Sequence, residues 1–97
     1  MFNKKLIKDA SIIYRLYEKI QELQENHQDM TTDEIFEELD WMYKKARKIS
    51  NKKQRKALTD AITQFRSAIN ATLAGDLDTA EEYLEKMTDI KDEVIRH

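Results

Sequence analysis

Residues 31–58 read TTDEIFEELDWMYKKARKISNKKQRKAL, and this stretch decides between the architectures open to the chain. Ile35, Leu39, Met42, Ala46 and Ile49 recur at intervals of four and three, which places them on one face of a helix, with Phe36 and Tyr43 beside it. Thr31 and Glu34 have capping-box spacing, in which a hydroxyl and a carboxylate satisfy free backbone N–H groups. The helix is therefore predicted to start at Thr31 or Thr32, and its seam ends at Ile49. Asn51 followed by Gln54 is a second capping signal. A break between Ser50 and Asn51 gives two helices, whereas continuity gives one long bent helix.

Outward from this stretch, the same periodicity continues. The first helix is predicted from about Asn3 to Gln24 or a little further, with Leu6, Ala10, Ile13, Tyr17 and Ile20 on one face. Ile12, Leu16 and Leu23 widen that face on one side, Ile7 and Tyr14 on the other. Residues 25–30, ENHQDM, lose the pattern and read as a polar loop. The third helix carries Leu58, Ile62, Phe65, Ile69 and Leu73, supported by Ala61, Ala68 and Thr72. Gly75 then suits a helix C-terminus, where a positive φ costs little. Asp76 or Asp78 can cap a fourth helix, whose face is Leu77, Ala80, Leu84, Met87 and Val94, with Tyr83 and Ile90 beside it. Residues 74–87, AGDLDTAEEYLEKM, look like half of a tetratricopeptide hairpin, but no copy recurs at that family's period of roughly 34 residues. Short connections favour antiparallel neighbours. The expectation is a single all-α domain over residues 1–97, an antiparallel up-down four-helix bundle. If helices 2 and 3 merge, it becomes a three-helix or dimeric bundle.

Composition agrees. The 97 residues include one Gly and no Pro, too few turn formers for a β-rich or α/β chain. There is no Cys, so disulfides, thiol catalysis and thiolate zinc sites are excluded. The two histidines, His27 and His97, do not make a histidine-rich metal site, and neither follows a Glu or Asp by three residues. A single Gly cannot form a phosphate-binding loop. The expectation is a protein without catalytic residues, cofactor or metal. Lys8 and Asp9 interrupt the N-terminal apolar run, and no stretch approaches the roughly 20 apolar residues of a membrane span. A cytoplasmic protein is expected.

Charge is segregated. Residues 18–40 hold nine acids against the single Lys19, and residues 41–58 hold eight lysines and arginines with no acid. Such blocks commonly face one another or lie solvated. Lys44, Lys45, Arg47, Lys48, Lys52, Lys53, Arg55 and Lys56 are also a candidate contact for phosphates, but no base-reading motif or interleaved aromatic accompanies them. Trp41 stands on the polar side of its helix, away from the seam. A surface tryptophan is a candidate binding hot spot; the bland alternative is a neighbouring helix or the 25–30 loop folded over it. Tyr14 and Ile7, seven apart at the edge of the first helix's face, are read the same way, with the packing alternative weighing more.

With these residues in view, the chain resembles the enterocin A-type immunity proteins of class II bacteriocin producers. The resemblance rests on Ile13, Leu16, Tyr17 and Ile20 in IIYRLYEKI and on Ile35, Glu37, Leu39 and Tyr43 in IFEELDWMYKKARK. Leu58, Ile62, Phe65 and Leu84 continue it. It departs from the family in that the last helix is expected to run nearly to His97, without an extended tail. What the resemblance implies is a cysteine-free cytosolic four-helix bundle. Such a protein protects its cell from inside by blocking the complex of the peptide with its membrane sugar-transporter receptor. The expected partner-binding residues are Trp41, Lys44, Lys45, Lys48, Lys52 and Tyr14. The alternative is a small phage or mobile-element regulator that inhibits a soluble host enzyme; nucleic-acid binding through residues 44–56 ranks third.

Overall fold

A computed structural model of the chain describes the backbone of residues 4–96 and the side chains of residues 4, 6–90 and 92. Among them are four α-helices and no strand: α1 Lys4–Asn26, α2 Thr32–Ala46, α3 Lys52–Leu73 and α4 Leu77–Arg96, with a 3-10 turn at His27–Asp29 after α1. The protein is all-helical, and the expected alternative of one merged helix from α2 and α3 does not form. The expected helix start at Asn3, the side chain of Val94 and His97 lie outside the described residues. The chain divides into two compact units, Met1–Arg55 and Lys56–His97.

In the first unit α1 and α2 run antiparallel. Moving up α1, Arg15 lies against Trp41 and Lys19 pairs with Glu38, so the partner's number falls as that of α1 rises. The buried side chains are Ile13, Leu16, Ile20 and Leu23 of α1 and Ile35, Leu39, Met42 and Ala46 of α2, with Ile49 just beyond. Each large aliphatic side chain so buried stabilises the fold by about 1.5–3 kcal/mol. The α1 face is rotated from the expected one, for Leu6 at the helix start is 65% exposed. Its place in the four-and-three spacing is taken by Asp9, which is buried. Helix α1 ends at Asn26, a little beyond Gln24 as expected, and the His27 side chain lies against its last turn. The His27 Nδ1–H donates to the carbonyls of Leu23 at 3.2 Å and Gln24 at 3.0 Å, in the last turn of the helix.

Thr31 caps α2 as its spacing requires. Its hydroxyl accepts the Glu34 N–H at 3.2 Å and donates to the Glu34 carboxylate at 3.1 Å. The helix ends at Ala46, three residues before its seam does. Lys48 and Ile49 N–H groups bond to the carbonyls of Lys45 and Ala46 in tight turns. The next two N–H groups, of Ser50 and Asn51, donate to the two carboxylate oxygens of Asp9 at 2.7 and 2.9 Å. A continuous helix would need those amides for its own carbonyls, so Asp9 holds the break open. Asn51 then caps α3 by accepting the Gln54 N–H at 3.0 Å, and the Arg55 guanidinium donates to the Ile49 carbonyl at 3.2 Å.

In the second unit, Leu58, Ala61, Ile62, Phe65, Ala68 and Ile69 of α3 and Ala80 and Met87 of α4 are buried. Leu73 and Leu77, expected on the apolar faces, are 59% and 65% exposed, because they flank the turn as the last residue of α3 and the first of α4. The turn is a Schellman motif: Asp76 N–H bonds to Ala71 O at 2.9 Å and Gly75 N–H to Thr72 O at 3.0 Å, with Gly75 at φ +81°. A Cβ at Gly75 would meet nothing within 4 Å, so only the backbone resists a side chain there. Gly75→Ala is expected to destabilise the protein by about 1–2 kcal/mol in urea unfolding. Of the two candidate caps for α4, Asp76 serves: it accepts the Thr79 N–H at 3.2 Å and hydroxyl at 2.6 Å. These bonds hold its carboxyl below the usual aspartate range.

Candidate functional site

The α2 seam fixes where Trp41 points. With Leu39 and Met42 fully buried, Trp41, just before Met42, turns to the flank of the helix, where it meets α1. Trp41 is half-buried, and three cations lie over its ring: the Arg15 guanidinium at 5.3 Å from the centroid, the Lys45 ammonium at 5.6 Å and the Lys19 ammonium at 6.0 Å. A cation over an indole face is attracted by the ring quadrupole, worth about 0.5–1 kcal/mol at exposed sites. These contacts position the ring without burying it in the apolar core.

The three cations differ in what else they touch. Lys19 also lies 3.5 Å from the Glu38 carboxylate and 3.8 Å from that of Glu22, so its charge is largely answered. Among the described residues, Arg15 and Lys45 stand within ion-pair distance of no carboxylate. Both line a half-open cleft of about 90 Å³ together with Trp41, Ser11, Ile12 and Leu16. A smaller hollow of about 50 Å³ lies further along the hairpin, between Lys19, Glu22, Leu23, Asn26, Met30 and Glu38.

Of the residues expected from the sequence, the structure brings together Trp41 and Lys45. Lys44 and Lys48 are exposed, Lys48 in the turn that follows α2, and Lys52 is exposed as the first residue of α3. Tyr14 is 64% exposed and does not line the Trp41 cleft. Sequence reasoning missed Ser11, Ile12, Arg15 and Lys19 of α1. The available signal was their spacing: 11, 12, 15 and 19 share one flank of a helix, next to the Ile13–Leu16–Ile20 stripe. Among the described residues no group of three or more His, Cys, Asp or Glu side chains is placed to hold a metal ion, and no helix is long and apolar enough to cross a membrane.

Comparison of the chain with protein-family models, with curated proteins and with solved structures finds no match.

Proposed function

We propose that this is a non-enzymatic helical protein that acts by binding another protein, with Trp41 at the centre of the contact surface. The observation that carries the proposal is the placement of Trp41. A large aromatic is held at the flank of the α1–α2 pair by Arg15 and Lys45, beside an open cleft. Tryptophan and arginine are enriched at binding hot spots, tryptophan because it buries a large area at low conformational cost. Lys44 and Lys48, both exposed, add positive charge close by in the sequence.

The concrete form of the proposal is bacteriocin immunity, exercised from the cytoplasm. The bundle would bind the peptide-occupied sugar-transporter receptor at the membrane and keep it blocked. Its support is the similarity of the helix 1 and helix 2 sequences to that family, together with the four-helix, cysteine-free chain. The expected up-down bundle belongs to the same proposal, supported by the short connections and the amphipathic seam of each helix. The test is expression in a strain sensitive to class II bacteriocins, challenged with a panel of those peptides. Survival against one of them, reduced by Trp41→Ala at unchanged helix content, is the expected result. Sensitivity to every peptide at full expression would end the immunity proposal.

A further inference from the structure

We infer that the cleft between Arg15, Lys45 and Trp41 is a carboxylate-binding site that takes an acidic peptide segment. The inference rests on the protein-binding function proposed above and specifies the partner's chemistry. Three observations carry it. First, Arg15 and Lys45 flank one cleft and, among the described residues, have no carboxylate partner, whereas neighbouring Lys19 has two. Two cations that line one cleft and have no carboxylate partner suit a carboxylate ligand, and a guanidinium matches a carboxylate with two parallel hydrogen bonds. Secondly, Ser11 and Ile12 line the same cleft with Leu16 and the indole, offering a hydroxyl donor and an apolar wall for an aliphatic neighbour of the acid. Thirdly, the surrounding charge changes sign at Trp41. Lys44, Lys45 and Lys48 follow it, while Glu34, Glu37 and Glu38 precede it on the same helix.

The third observation separates a short acidic segment from a polyanion. A nucleic-acid strand or an anionic membrane laid across Trp41 would meet Glu37 and Glu38 within one turn of helix and be repelled. Base stacking would also have to displace the cations already over the ring. A peptide of a few residues can present its acids to the cationic side alone.

Trp41 is the single tryptophan of the chain, so its fluorescence reports from the cleft itself. The experiment titrates the full chain at low salt with a blocked peptide of alternating Glu and Leu. Parallel titrations use the same peptide with Lys for Glu, a single-stranded DNA oligonucleotide, and phosphatidylserine-containing vesicles. A saturable change with the Glu peptide is expected. Affinity should fall about tenfold in Arg15→Gln and again in Lys45→Gln, as loss of one close charge pair implies. It should be unchanged in Lys86→Gln on α4, with helix content by circular dichroism constant throughout. No saturable change, wild-type affinity in both cleft variants, or tighter binding of DNA or vesicles than of the Glu peptide would each overturn the inference. Failure here, with protein capture still dependent on Trp41, removes the acidic chemistry alone. Loss of that dependence removes the function proposal, whatever the titration gives.

Discussion

Asp9→Ala should lower the unfolding free energy by about 2–3 kcal/mol, because it removes two hydrogen bonds to a charged acceptor from amides that no other group serves. Asp9 is only 3% exposed, and its carboxylate oxygens take the N–H groups of Ser50 and Asn51, 41 and 42 residues on in the chain. Burial alone would push its pKa up. The backbone N–H groups of Ser50 and Asn51, the Ser50 hydroxyl and nearby Lys8 outweigh it, and the carboxyl lies below the ordinary aspartate value. A depressed folded-state pKa contributes stability in full above the unfolded-state pKa and loses it as pH falls through the folded-state one. Urea unfolding should therefore show the Asp9→Ala penalty undiminished from neutral pH down to the ordinary aspartate range, and shrinking in stronger acid. A penalty that persists unchanged in strong acid would mean that the carboxylate's charge has no part in holding the α2–α3 break.

Leu39→Ala should cost about 2–5 kcal/mol, since Leu39 is fully buried and its removal leaves a cavity as well as lost transfer energy. Its interest lies in the comparison with Trp41, two residues away. A half-buried ring held by cations at a surface should lose less than half of the about 3–5 kcal/mol that a fully buried tryptophan costs on truncation to alanine. Urea midpoints at equal slope read both. A Trp41→Ala loss as large as that of Leu39→Ala would make Trp41 a core residue and remove the physical reason for placing a partner on it.

The all-helical class was legible because periodicity and capping agree. The Ile35–Leu39–Met42–Ala46 seam, the Thr31 and Asn51 caps, and the Gly75–Asp76 turn each appear where their residue types require. The break between α2 and α3 was legible only as a choice. What decides it is the pair of hydrogen bonds that Asp9 accepts from Ser50 and Asn51, and a long-range contact leaves no local pattern. Its trace was an acid standing where four-and-three spacing from Ile13 and Leu16 calls for an apolar side chain. Leu73 and Leu77 misled because periodicity assigns a face without regard to the turn they flank, and Leu6 because the buried face of α1 is rotated onto Asp9. Of the candidate site, Trp41 and Lys45 were visible through their own helix. Arg15, Lys19, Ser11 and Ile12 reach the indole from α1, and which flank of α1 meets α2 follows from the packed register alone.

Side-by-side capture by folded wild type and folded Trp41→Ala bears most directly on partner binding at this surface. Both are tagged and exposed to a Gram-positive lysate solubilised in mild detergent, with and without class II bacteriocins, and read by quantitative mass spectrometry. The expected result is sugar-transporter membrane subunits on the wild type only when a peptide is present, and their loss from Trp41→Ala. Capture of one soluble enzyme, indifferent to peptide but still lost in the variant, would keep the Trp41 surface and replace immunity with enzyme regulation. Equal capture by the two proteins would contradict the assignment of Trp41 to the binding surface.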